Sequence, residues 1–207
     1  MDGGNPPKSA TSDIIINLAD VNDNKPTFPE NRLDADLKEN EKPDTVLTTV
    51  IATDIDLGEN STIRYQVKSG GADFVIGAKD GVIKSRKSFD REKQTDIKLV
   101  VQAYDLGSPR MTSDDVVISV KIIDVNDNVP VWSQTTIRVS VKEHTSVGVQ
   151  IATVSATDLD KGENARISYS IIPVTGLEKQ PVSINENTGS AITDFFIELT
   201  FLCINCG

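Results

Sequence analysis

Four blocks of this sequence recur at one fixed separation. "DVNDN" begins at Asp20 and again at Asp124, 104 residues later. The same offset relates Glu39 in "LKEN" to Glu143 in "VKEH", and "ATDIDLGENSTIRY" from Ala52 to "ATDLDKGENARISY" from Ala156. It also relates "SDIIINLADV" (12–21) to "VVISVKIIDV" (116–125). Chance matches would not share a register, so the chain is a tandem repeat with a unit of domain size.

Inside one unit the apolar pattern has the period of a strand. In "VVISVKII", Val116, Ile118, Val120 and Ile122 point one way, and Val117, Ser119 and Lys121 the other. A second long strand is predicted from Ile97 to Tyr104. Shorter ones are predicted at Leu33–Leu37, Thr45–Ala52, Ile63–Lys68, Phe74–Ile76 and Val82–Lys84. Gly, Pro, Asp and Asn turns separate them, and no long amphipathic helix can be read. The fold class is therefore all-β, with tandem seven-stranded Greek-key β-sandwiches of immunoglobulin-like size. One unit is complete and two are partial.

Composition limits the partners. The chain has 207 residues and a net charge of −10, which argues against nucleic acid and anionic membrane surfaces and suits cations. No small-molecule substrate is indicated. The two cysteines, Cys203 and Cys206, lie in the last five residues, so the body of the protein relies on no disulfide. The opening "MDGGNPPKSA" lacks the apolar core of a signal peptide. The longest apolar run, "FFIELTFLCI", is half the roughly twenty residues needed to span a bilayer and contains Glu198. Taken alone, the chain is expected to have no leader, no anchor and no membrane contact.

"DVNDN" places Asp124, Asn126, Asp127 and Asn128 within five residues. Ca²⁺ takes about six to eight oxygen ligands from carboxylates, amides and backbone carbonyls, and such a segment suits that demand. A solvated turn is the plain alternative for one copy, and the repeat in register argues against it. "TDIDLGEN" and "TDLDKGEN" superficially resemble an EF-hand loop but fail its spacing. Counted from Asp54, the glycine is fifth (Gly58) and the twelfth residue is Tyr65; counted from Asp158 the same failure falls at Gly162 and Tyr169.

Together, Glu39, "DID" (Asp54, Asp56), "FDRE" (Asp90, Glu92), "AYD" (Asp105) and "DVNDN" resemble the extracellular cadherin repeat. The wording "ATDLDKGENARISYSI" is most similar to the large non-classical cadherins of the Fat and Dachsous type, or to protocadherins. The resemblance implies seven-stranded sandwiches with up to three Ca²⁺ at each junction between repeats. At the junction near Asn128 it implies ligation by Glu39, Asp90, Glu92, Asp124, Asn126 and Asp127, with backbone carbonyls of Val125 and Asn128. The following repeat would add Asp158, Asp160 and the carbonyl of Asn164. At the junction near Asn24 it implies Asp20, Val21, Asn22, Asp23, Asn24, Asp54, Asp56, Asn60 and Asp105. Without the preceding repeat's Glu and DRE-type residues, weaker calcium binding is expected there.

By the same resemblance, residues 1–24 are the end of a repeat carrying its last two strands. Residues 25–128 are a complete repeat, 129–194 an incomplete one, and 195–207 a tail foreign to the family. The segment Glu198–Thr200 falls where a DRE-type motif would stand, and the Asn128 junction lacks a counterpart of Asp105. The parent would be a plasma-membrane protein with these repeats outside the cell. Its partners would be cadherin ectodomains on neighbouring cells, homophilic or heterophilic.

The remaining features have plain readings. "CINC" has no second ligand pair for zinc, and the only histidine, His144, is distant in sequence and has no partner for general-base work. Asn60 opens the glycosylation sequon "NST" but stands in the calcium loop. Trp132 is internal and expected in the core, so no exchange of an N-terminal aromatic is indicated. Three functions compete: calcium-dependent cell–cell adhesion, a non-adhesive calcium-stiffened spacer, and a metal-dependent hydrolase working through the acidic clusters. No catalytic residue is expected.

Overall fold

A computed structural model describes residues 2–172 and 181–194. The tail after Asp194, with Cys203, Cys206 and the segment Glu198–Thr200, lies outside the described residues. By internal contacts the chain divides into two compact units. One comprises the chain up to Asp36 with Lys42–Ser88 and Asp96–Lys121; the other comprises Leu37–Glu41, Phe89–Thr95 and the chain from Ile122 onward.

The seven expected strands are present: β1 (Arg32–Lys38), β2 (Val46–Thr49), β3 (Arg64–Ser69), β4 (Phe74–Ile76), β5 (Val82–Ser85), β6 (Asp96–Tyr104) and β7 (Val116–Ile123). They form two sheets, ordered β1-β7-β6-β3 and β2-β5-β4, in a sandwich without helix among the described residues. The period-2 pattern is realised as drawn. Val116, Ile118, Val120 and Ile122 of β7 are buried, as are Ile97, Leu99, Val101 and Ala103 of β6, and Phe74 and Ile83 supply the β2-β5-β4 side. β2 is shorter than the expected Thr45–Ala52, and its register with β5 shifts between Val46 and Thr48. Val50 continues only through its amide, which donates to Gly81 O at 3.0 Å.

Farther along, β8 (Val131–Trp132) pairs with β10 (Ala156–Thr157), and β9 (Gln150–Thr153), β11 (Val182–Ile184) and β12 (Ser190–Thr193) form a sheet ordered β11-β12-β9. That order reproduces β4-β5-β2. Small details repeat with it. Gly81 and Gly189 have φ of 68° and 66°, and a Cβ there would lie 2.0 Å from Val50 O and 2.2 Å from Val154 O. Only glycine fits either turn. Trp132 is half-buried against Tyr169 at 5.7 Å, as Phe28 stands against Tyr65 at 6.2 Å, so it lies at the margin of the core and not within it as expected.

Residues 12–21 depart from expectation. They match β7 in pattern but form no strand, and Ile14, Ile15, Ile16 and Leu18 are all at least three-quarters exposed. The reason is pairing: β7 is held between β1 and β6, and the described residues offer this segment no such neighbours.

Candidate metal centre

The expected site residues are linked by hydrogen bonds in two places, each within one compact unit, and among the described residues three carboxylates converge closely only around Asn128. In the unit containing Ile122 onward, the key carboxylate is Glu39. It is 2% exposed, and its two oxygens accept the backbone N–H groups of Arg91 and Val125, each at 2.8 Å. These bonds tie the end of β1 to the DRE-type turn and to the segment after β7. Around this anchor, carboxylate oxygens of Glu39, Asp90 and Glu92 lie within 4.8 Å of one another, and so do those of Glu92, Asp124 and Asp160.

The surrounding bonds fix each side chain. Asp124 Oδ2 accepts from the Lys161 amide at 3.1 Å and from Asn164 Nδ2 at 2.8 Å. Asp160 accepts from the Asn128 amide at 3.4 Å and from Asn128 Nδ2 at 2.7 Å. Asp158 accepts from the Asp160 amide at 2.9 Å, and Asp127 from Asn128 Nδ2 at 2.8 Å and from Asn40 Nδ2. Asn126 is exposed. Glu143, the repeat equivalent of Glu39, is exposed too.

One residue that the acidic pattern concealed sits in the middle. Arg91 donates from Nε to Asp124, from a terminal nitrogen to Glu92, and from that nitrogen to Leu159 O at 2.6 Å. Its side chain is 11% exposed. A basic residue inside "DRE" reads from sequence as a solvated charge; its flanking by two acidic residues was the available signal.

The electrostatics follow the packing. Burial, with the charges of Glu39 and Asp127, pushes the Glu92 carboxyl above its usual range, against the pull of Arg91. Burial also opposes ionisation of Asp124, but hydrogen bonds from Asn164, the Lys161 amide and Arg91 outweigh it and hold that carboxyl low. The Lys93 ammonium, 2.6 Å away, holds Asp90 low.

The other cluster repeats the same links. Asp20 Oδ2 accepts from the Leu57 amide at 3.0 Å and Asn60 Nδ2 at 2.9 Å. Asp56 accepts from the Asn24 amide at 3.1 Å and Asn24 Nδ2 at 2.6 Å, and Asp54 from the Asp56 amide at 3.0 Å. Asn24 Nδ2 also reaches Asp23 at 2.8 Å, while Val21 is exposed. The Leu57 amide and Asn60 hold the Asp20 carboxyl below its usual range. Asn60, the sequon residue, is thus engaged through its amide nitrogen. Asp105 is fully buried and accepts the Gly107 amide at 2.9 Å and the Met111 amide at 3.1 Å. Two buried oxygens here, Asn22 Oδ1 and Asp54 Oδ2, have no hydrogen-bond partner in the described structure. A buried acceptor left unpaired costs about 1–3 kcal/mol, so each is suited to a cation. All donors in both clusters are hard oxygens, the set that Ca²⁺ prefers.

Comparison with known families matches the cadherin domain over residues 33–123 and 137–200. This chain belongs to the cadherin family. It is 37% identical to mouse (Mus musculus) Protocadherin Fat 4 over 198 residues, which is 95% of this chain and 4% of that protein. It is 38% identical to the Drosophila melanogaster Protocadherin-like wing polarity protein stan, over 93% of this chain and 5% of that one. The chain therefore spans a small part of these relatives' length. Among solved structures, the Protocadherin GammaB4 extracellular domain matches with a TM-score of 0.80 and 29% identity, covering 94% of this chain and 33% of that one. Mouse Cadherin-23 EC22-24 matches at 0.74 and 31%, over 87% and 57%.

Cadherin repeats belong to adhesion receptors and not to enzymes, which sets aside the hydrolase reading. Among the described residues no helix is long and apolar enough to cross a membrane.

Proposed function

We propose that this cadherin chain acts in calcium-dependent cell–cell adhesion, with Ca²⁺ stiffening the succession of its repeats. The observation that carries the proposal is the convergence of Glu92, Asp124 and Asp160, from three separate segments, to within 4.8 Å. Like charges that close repel, by about 1 kcal/mol per pair in bulk water and more where partly buried. Arg91 offsets only part of this charge, since Glu39 and Asp90 stand beside Glu92 as well, and the remainder favours a further cation. In the cluster around Asn128 the ion would be held by Glu39, Asp90, Glu92, Asp124, Asn126, Asp127, Asp158 and Asp160, with carbonyls of Val125, Asn128 and Asn164. Around Asn24 the ligands would be Asp20, Asn22, Asp23, Asp54, Asp56 and Asp105, with backbone oxygens of Val21, Asn24 and Asn60.

When bound, calcium supplies charge compensation across these segments. This chain's own residues do the positioning: Glu39 fixes the DRE-type turn against Val125, and Asn128 fixes Asp160. The segment 124–128 is thereby held to the loop 158–164. We place the protein on the outer face of the plasma membrane, with residues 25–128 as its complete repeat, and its partners as cadherin ectodomains of a neighbouring cell.

Thermal unfolding in millimolar calcium and in chelator, with Asp127→Ala alongside, tests the metal. A calcium-dependent rise in Tm that the variant diminishes supports the proposal, and no rise in the wild-type chain sinks it. Bead aggregation separates adhesion from a spacer role. Coated beads that cluster only with calcium support adhesion; beads that stay dispersed in calcium leave a stiffened spacer.

A further inference from the structure

Among the described residues, Arg91 is the one guanidinium amid the acidic side chains of the Asn128 cluster, and it touches each segment that supplies them. Its backbone N–H donates to Glu39 from the end of β1. Its side chain donates to Glu92 in its own turn, to Asp124 after β7, and to Leu159 O, between Asp158 and Asp160. Glu39 Oε1 stands 4.0 Å from Nε. Glu92 and Asp124, the two carboxylates that Arg91 grips, are also two of the three in the group with Asp160.

We propose that Arg91 is an internal cation of this cluster: it cross-links the ligand-bearing segments itself and competes with calcium for Glu92 and Asp124. The inference rests on the calcium reading above. A guanidinium presents several N–H groups in a fixed plane and is always charged, so it can hold two carboxylates and a carbonyl at once. A divalent ion coordinated by the same carboxylates stands within a few ångströms of that charge and is repelled by it. Arg91 therefore raises the apparent dissociation constant for calcium, and bound calcium weakens the ion pairs of Arg91 by the same coupling free energy. The Asn24 cluster has no counterpart to this arrangement, because among the described residues no basic side chain bonds to Asp20, Asp54 or Asp56.

The test is a calcium titration by calorimetry, with Tm in chelator, on the full 207-residue chain and on its Arg91→Gln and Arg91→Lys variants. Arg91→Gln is expected to bind calcium tighter by roughly fivefold or more, while its Tm in chelator falls. Arg91→Lys keeps the charge without the fork and falls between the two on both readouts. If Arg91→Gln does not fold in chelator, its calcium affinity is measured from calcium-refolded protein by competition with a chelating dye. Unchanged or weaker calcium affinity in Arg91→Gln, with normal wild-type binding, overturns the competition alone. A flat wild-type titration overturns the calcium reading and this inference with it.

Discussion

Around Asn24 and around Asn128 the chain ties the same links with nearly the same distances, yet the two clusters are built on different foundations. In both, an Asp at the start of DVNDN accepts a loop amide and an Asn side chain, and the closing Asn grips the second Asp of the D-x-D loop. Around Asn128 the extra carboxylates come from the residue after β1 and from the turn before β6: Glu39, Asp90 and Glu92, with Arg91 among them. Around Asn24 the extra groups are the buried Asp105 and two orphaned oxygens. The shared links are local and travel with the repeat. The differences depend on which distant segments pack beside them.

Four measurements break or sharpen that comparison. The largest effect is expected at Glu39, which the Asn24 cluster lacks. Glu39→Ala strands the Arg91 and Val125 amides, so urea unfolding in chelator should show a loss of about 3–5 kcal/mol. A loss no larger than a surface substitution's would mean that the anchor is not structural. Next comes the matched pair Asp160→Ala and Asp56→Ala. Calcium at a hundredfold excess over Kd stabilises by about 2.7 kcal/mol, and Asp160→Ala should remove most of that while Asp56→Ala removes less. Equal losses would erase the distinction between the clusters.

Asp54→Asn should be milder in chelator, within about 1 kcal/mol, because Oδ2 has no partner to lose. Its calcium affinity should nonetheless fall on titration; an unchanged affinity would remove Asp54 from the ligand set. The smallest effect is a pH dependence in chelator. Asp124 is held below its ordinary 3.8, so its stabilisation is present above that value and fades as pH falls through the lower folded value. Asp124→Asn should flatten this acid limb in urea midpoints, and an identical limb would place the linkage elsewhere.

How much of this was legible in the sequence can be judged from matched segments. Alternation alone located β6 and β7, because both strands find their partners within the complete unit. The same alternation in residues 12–21 gave no strand, and residues 138–141 and 167–171, the counterparts of β1 and β3, form none either. In the complete unit β1 pairs with β7 and β3 with β6, and the described residues after Asn128 contain neither partner. The sheet β11-β12-β9 does form there, since all three of its strands lie in the described chain. A strand pattern states what a segment can do; pairing decides whether it does. The acidic side chains were legible for a similar reason, through a register held across four blocks. Arg91 was not, because its role depends on carboxylates from segments far apart in the chain.

The two bonds of Glu39 join residues separated by 52 and 86 positions. Contacts closed over such loops form late, since the chain must lose most of its freedom before they repay it. The carboxylate geometry should thus be an outcome of folding and not its seed. Calcium should accordingly slow unfolding far more than it speeds folding, making the ion a lock on the finished domain in place of a template for it.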